Sequence, residues 1–115
     1  MTKQDKKTLN AIAQAIYDKK GFNILALDVR GISTMTDYFI IAEGSVSRHV
    51  KSLCAHIKEQ LALAQLEPYQ IEGSSDAEWI VMDYSDIVIH LFVPDIREKY
   101  AIEELWKNSK IWFVN

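Results

Sequence analysis

Apolar positions along the chain switch between two periods. Leu9, Ile12, Ala13, Ile16 and Tyr17 stand three and four apart, the stripe of an amphipathic helix, with Thr2 placed to cap its start and Gly21 to end it. "NILALDV" then reads as a short strand, "RGISTMT" as turn, and the aromatic, β-branched "DYFIIA" as a second strand. Val50, Leu53, Cys54, Ile57, Leu61 and Ala64 return to one helical face, with Ser45 or Ser47 as cap and Pro68 closing the segment. "YQIEG" is a weak third strand. "EWIVMDY" and "DIVIHLFV" are stronger strands, divided by little more than Ser85, which calls for a tight hairpin. Both runs are apolar on both faces, as in strands covered on two sides or paired with another molecule. "DIREKYAIEELW" is helical again through Tyr100, Ile102, Leu105 and Trp106, with Asp95 as cap. The order α-β-β-α-β-β-β-α predicts an α/β fold, a single domain with a mixed β-sheet and flanking helices.

Composition narrows the class. With 115 residues, 49% of them hydrophobic, the chain holds one domain's core and little more. Its longest apolar runs fall far short of the ~20 residues of a membrane span, and the polar start "MTKQDKKTLN" has no apolar signal region. Cys54 is the only cysteine, which excludes an internal disulfide and a multi-cysteine zinc site. A cytoplasmic protein without a membrane partner is the expectation.

The net charge of −3 is unevenly spread. Nine carboxylates lie between Glu72 and Glu104 against Arg97 and Lys99 alone, a local balance of −7; residues 1–71 and 105–115 each carry +2. A partner of the 72–104 segment should be basic, and nucleic acid is a poor direct partner because its phosphates repel carboxylates. Trp79, Tyr84, Tyr100, Trp106 and Trp112 crowd the same half of the chain. Aromatics set beside charge suit a protein-docking surface.

Catalytic chemistry finds few footholds. "EGSVSRHV" places a Gly-Ser turn between a strand and a helix, yet lacks the second glycine and the lysine of a phosphate-cradling loop. A nucleotidyl-transfer site would need spaced carboxylates on the following strand to hold a divalent metal, and that strand offers only Glu72. Asp83 and Asp86 flank the hairpin turn and should point apart. Ser47 and His49, two apart on a helix, do not face each other. His49 and His56 share a face but lie ~10.5 Å apart at the usual helical rise. His90, alternating with apolar neighbours, reads as a hydrogen-bonded, half-buried residue. No nucleophile, base and orienting group assemble, so the expectation is a protein that is not an enzyme, with no cofactor and no catalytic metal.

Four blocks carry a resemblance to a known family: "ALDVRG", "TDYFIIAEGSVSRHV", "EGSSDAEWIVMDYSDIVIHLFVPDIREKY" and "IEELW". In this order they resemble the ribosomal silencing factors, also called Iojap-like or YbeB-type proteins, over roughly residues 8 to 107 of a single 1–115 domain. The resemblance implies a nucleotidyltransferase-like topology without the catalytic carboxylates, so the Gly-Ser turn is expected to be a junction and not a phosphoryl-transfer site. It also implies a translational repressor that binds the large ribosomal subunit through ribosomal protein fourteen (uL14), blocks subunit joining, and forms a homodimer when free. Matched position by position, the implied partner-binding residues are Trp79, Ile80, Met82, Asp83 and Tyr84, followed by Asp86, Arg97, Glu98 and Tyr100. Ser85 departs from the glycine common in the family, which puts the turn type in question. The tail "KNSKIWFVN" lies outside the family pattern, and its Ile111, Trp112 and Phe113 could cover an apolar surface or sit in a dimer interface. Two other classes stay in view: a nucleotide-binding enzyme by fold analogy, and a dimeric scaffold with another basic protein partner.

Overall fold

The computed structural model describes residues 2–114, with backbone alone at 113 and 114. Helix α1 (Lys3–Asp18) begins where Thr2 closes a capping box with Asp5, the hydroxyl accepting from the Asp5 N–H at 3.0 Å. It ends in a Schellman turn, with Lys20 N–H donating to the Tyr17 carbonyl and Gly21 N–H to that of Ile16. The left-handed residue is Lys20 (φ 67), not the glycine. Gly21 is needed for space instead, because a Cβ there would sit 2.3 Å from Ile16 Cγ2.

Six strands follow: β1 (Phe22–Asp28), β2 (Tyr38–Glu43), β3 (Gln70–Glu72), β4 (Trp79–Asp83), β5 (Ile87–Phe92) and β6 (Lys110–Val114). Between them lie α2 (Ser47–Leu63), α3 (Pro94–Tyr100) and a 3₁₀ turn over Ile102–Trp106. The strands form one sheet in the order β3-β4-β5-β2-β1-β6, with only the β2–β5 pair parallel. The mixed α/β architecture expected from the sequence is present, extended by one strand. The tail resolves into β6, which pairs antiparallel with β1 and turns Trp112 onto the main core. The expectation for Phe113 concerns a side chain outside the described residues.

Two apolar layers sandwich the sheet. On the inner face, Leu9, Ile12 and Ile16 of α1 and Val50, Leu53, Cys54, Ile57 and Leu61 of α2 pack over alternate strand residues such as Ile40, Ile80, Met82 and Ile89. On the outer face, α3 and the 3₁₀ turn lay Ile96, Ile102 and Trp106 over Leu27, Phe39, Ile41 and Phe92. The expected single C-terminal helix is broken at Ala101, whose left-handed φ of 42° redirects the chain so that Ile102 and Trp106 reach the sheet. Val93, followed by Pro94, starts that helix where Asp95 was expected.

The strand-to-helix junction also differs in its caps. Val46 is the N-cap of α2, and neither Ser45 nor Ser47 caps it with a side chain. Ser45 N–H instead donates to His49 Nδ1 at 2.9 Å, and His49 Nε2–H donates to the Lys19 carbonyl at 2.6 Å, tying the turn to the end of α1. Gly44 lets the helix start against the strand, since a Cβ would lie 3.0 Å from the Val50 amide nitrogen.

The β4–β5 turn keeps a positive φ of 74° at Ser85, with Tyr84 N–H donating to the Ile87 carbonyl and Ser85 N–H to Asp83 Oδ1 at 2.8 Å. Asp86 N–H donates back to the Tyr84 carbonyl at 2.9 Å, so the chain reverses through a γ-turn centred on Ser85. Serine there carries strain of roughly 1–2 kcal/mol, of which glycine would return part to flexibility of the unfolded chain. Ser85→Gly is therefore expected to raise stability by about 0.5–1 kcal/mol, read as a rise of a few degrees in Tm. An unchanged or lower Tm would count against strain at this turn.

Candidate docking surface on the outer face of the hairpin

Because paired strand residues point to the same side, the register defines what the hairpin presents outward. Trp79, Val81 and Asp83 of β4 align with Phe92, His90 and Val88 of β5. Gln70 and Glu72 of β3 extend the same face past Asp83 and Val81. The cover from α3 stops at Trp79, so the strip from Trp79 to the turn is half open: Val81, Asp83, Val88 and His90 are all half-buried.

Trp79 anchors this strip. Its ring centroid lies 4.9 Å from Phe92 beneath and 5.1 Å from Tyr100, which roofs it and is itself 51% exposed. Trp79 Nε1–H donates to His90 Nδ1 at 2.9 Å. That bond fixes the neutral tautomer with the proton on Nε2. Burial against Phe39 (4.6 Å between centroids) pushes the imidazole pKa down from 6.5 to about 4. The half-buried, hydrogen-bonded role expected for His90 is what the structure shows.

The expected partner-binding residues divide between the two faces. Trp79 and Asp83 face outward, and Asp86, Glu98 and Tyr100 are exposed. Ile80 and Met82 do not belong to this surface. Each is 0% exposed and points inward, because successive strand residues alternate and Trp79 takes the outer side. Tyr84 also turns inward, packing its ring against the main core. Its hydroxyl is buried without a hydrogen-bond partner, and burial pushes its pKa up to about 12.

Arg97 has a structural occupation. Its guanidinium donates to Glu43 at 2.9 Å, to Glu103 at 3.2 Å and to the Asn23 carbonyl, clamping α3 to the start of β1 and the end of β2. Glu43 is only 7% exposed and also accepts from Asn23 Nδ2 at 3.2 Å. Asn23 reaches it through a bulge in β1 at a φ of 51°, a conformation that asparagine tolerates. Sequence reasoning missed this buried ion pair; a glutamate closing the apolar run "YFIIAE" was its one signal.

Catalytic alternatives gain no geometry. Ser45 Oγ lies 3.2 Å from His49 Nδ1, a pairing four residues apart that the sequence reading did not weigh. The lone pair of that nitrogen already accepts the Ser45 N–H, and the opposite nitrogen donates to Lys19, so the ring is not a free base. Among the described residues, no group of three or more His, Cys, Asp or Glu could hold a metal ion. Among the same residues, no helix is long and apolar enough to cross a membrane.

A family model described as "Ribosomal silencing factor during starvation" matches residues 2–113. The chain belongs to the ribosomal silencing factor family. It is 36% identical over 106 residues to ribosomal silencing factor RsfS of Bacillus subtilis, covering 92% of this chain and 90% of that one. The fold is likewise similar to a crystal structure of a Chromobacterium violaceum protein, with a TM-score of 0.85, 31% identity, and 88% of this chain and 84% of that one covered. A Bacillus halodurans structure gives a TM-score of 0.80 at 32% identity, covering 88% and 94% of the two chains. A mouse relative, 28% identical over 101 residues that make up 44% of its length, is named as a mitochondrial assembly protein of the ribosomal large subunit. The family's description is of a silencing factor, a regulator, and not of an enzyme. The chain thus sits in a ribosomal silencing factor family whose members share its sheet and helices.

Proposed function

We propose that this protein represses translation by docking on the large ribosomal subunit through ribosomal protein fourteen (uL14) and thereby blocking association of the small subunit. The observation that carries this reading is the family match across residues 2–113. The geometry supports it with a half-open strip that has a large aromatic, Trp79, at one end and carboxylates along it toward the turn. Asp83 shares its strand face, Glu72 extends that face on β3, and Glu78 and Asp86 are exposed beside it. Such a strip offers an aromatic anchor to a pocket and an acidic rim to a basic ribosomal protein. Trp79, Asp83, Asp86, Glu98 and Tyr100 are the docking residues in this proposal. We place the free protein as a homodimer in the cytoplasm, acting by occupancy and without turnover.

Steric occupancy makes an asymmetric demand. Protein added to separated subunits should reduce formation of joined ribosomes, while protein added to ribosomes already joined should act far less because its site is covered. Light-scattering or gradient assays of the two orders of addition measure this. Equal inhibition in both orders, or none in either, would count against blocking. The Asp86 side chain makes no hydrogen bond among the described residues, so Asp86→Lys should weaken capture of isolated uL14 without lowering Tm. Binding should also fall as salt rises past the concentration at which the screening length is ~8 Å.

A further inference from the structure

The acidic hairpin has a basic counterpart at the β1–β6 edge. Two cavities of about 530 and 290 Å³ share Asp28, Arg30 and Lys110 in their walls, and Lys6 enters the smaller one. The three cations come from separate elements: Lys6 from α1, Arg30 from the chain just past β1, and Lys110 from the start of β6, where the register sets it opposite Asp28.

Arg30 is held ready. Its Nε–H donates to Asp28 Oδ1 at 3.0 Å and its Nη2–H to Asp28 Oδ2 at 2.7 Å, while the guanidinium carbon lies 5.4 Å from the Tyr38 ring centroid. These contacts use two of five N–H donors and leave three without a partner among the described residues. Neither Lys6 nor Lys110 makes an ion pair among the described residues. All three cations are exposed; Asp28 lines the cleft with them, Asp37 also acts on Arg30, and Asp5 of α1 accepts from the hydroxyl of the Tyr38 ring beneath Arg30. A fixed arginine fork flanked by two unpaired lysines is the chemistry that grips phosphate oxygens.

The placement of the cleft suggests what brings the phosphate. Asp28 pairs with Tyr38, Tyr38 pairs with Ile87, and the Asp86 carbonyl accepts from the Asp37 and Tyr38 amides. The cleft therefore opens at the same end of the sheet as the hairpin turn, with β1 two strand spacings from β5, roughly 10 Å. The two do not share a face: Asp28 pairs with inward-facing Tyr38 and Lys6 stands on α1, so the cleft opens on the inner side while the Trp79 strip faces outward. A surface that wraps this end of the sheet past Asp86, with basic protein adjoining RNA, can meet both.

We propose that the Lys6–Arg30–Lys110 cleft holds phosphodiester groups of RNA as a second contact on the large ribosomal subunit, resting on the docking reading above for the source of that RNA. The sequence expectation of no direct nucleic-acid contact is thereby narrowed to the acidic segment. The charge asymmetry of the chain then has a use: carboxylates meet the basic protein, and the cleft meets the backbone beside it.

The test compares the parent with a Lys6→Glu/Lys110→Glu variant on three probes: a labelled 16-base-pair RNA duplex, isolated uL14, and whole large subunits. On the duplex the parent should bind with an affinity that falls with salt, and the variant should lower that log–log slope by about two. The variant should bind isolated uL14 like the parent, yet lose about tenfold in affinity for large subunits at moderate salt. Equal duplex and subunit binding by the two proteins would overturn the cleft. Displacement of the duplex by millimolar adenosine monophosphate, with one-to-one binding of the nucleotide, would overturn it in favour of a small-nucleotide site. A parent that ignores isolated uL14 but still shows the lysine-dependent slope would overturn the docking reading and keep the RNA cleft.

Discussion

Trp79→Ala should both weaken docking, roughly thirtyfold or more, and destabilise the domain, by about 3 kcal/mol, the lower end of what aromatic truncation in a core costs. The stability cost follows from the contacts with Phe92 and Tyr100 and from the hydrogen bond to His90, all lost together. The docking cost follows from the open strip beside it, where an aromatic anchor contributes ≥ ~2 kcal/mol, roughly thirtyfold in affinity. A sequence reading sets these outcomes against each other, core residue or docking residue; the structure gives the side chain both tasks. They separate experimentally because the two depend on different partners. Trp79→Phe keeps a ring between Phe92 and Tyr100 and should recover most of the stability, while lacking the indole N–H and the larger face. Tyr100→Ala removes the roof, leaving the indole in place. Binding to isolated uL14 should be measured at 10 °C, well below the transition of each variant, beside thermal unfolding. Folded Trp79→Ala that binds uL14 as well as the parent would sink the outer face as the docking surface.

Periodicity carried most of the fold, while the motif match alone did not orient the side chains of the proposed site. The helical stripes of α1 and α2 and the apolar runs of β2, β4 and β5 are local patterns, and each element stands where its pattern lies. Strand β6 was missed because "KIWFV" is a five-residue run whose state is decided by pairing with β1, some eighty residues away in the chain. The break at Ala101 was missed for a similar reason. An alanine has no local cause to adopt a positive φ, and the turn forms because Ile102 and Trp106 bury themselves against Phe39 and its neighbours. At the site, Ile80 and Met82 were assigned outward beside Trp79 although a strand's period of two sends them to the opposite face. A motif match ranks positions but does not orient side chains. Arg97, expected to meet a partner, is held within the fold by Glu43 and Glu103. Only spatial neighbours across more than fifty residues reveal that.

His90 should make the protein acid-sensitive over a window set by its own titration. Burial holds its folded pKa at about 4, against an ordinary value of 6.5, so the unfolded chain binds the proton more readily than the folded one. The sign follows: the stabilisation is fully present above pH 6.5 and is lost as the pH falls through that value toward 4. The difference in pKa corresponds to about 3 kcal/mol over the window. The bond geometry gives the same sign independently, since a proton on Nδ1 would face the Trp79 N–H, donor against donor. Urea unfolding between pH 7.5 and 4 measures the effect, and His90→Gln supplies the control because its side-chain carbonyl can still accept from the indole. Every other ionisable group is common to the two proteins, so the difference between their profiles isolates position 90. The parent should lose about 3 kcal/mol more than the variant across the window; parallel pH profiles would show that His90 is not the group responsible. The same proton detaches Trp79 from the imidazole that orients it, but the folded protein takes it up only near its own pKa, so uL14 binding by the folded parent should hold down to about pH 5, weaken as the pH approaches 4, and persist in His90→Gln.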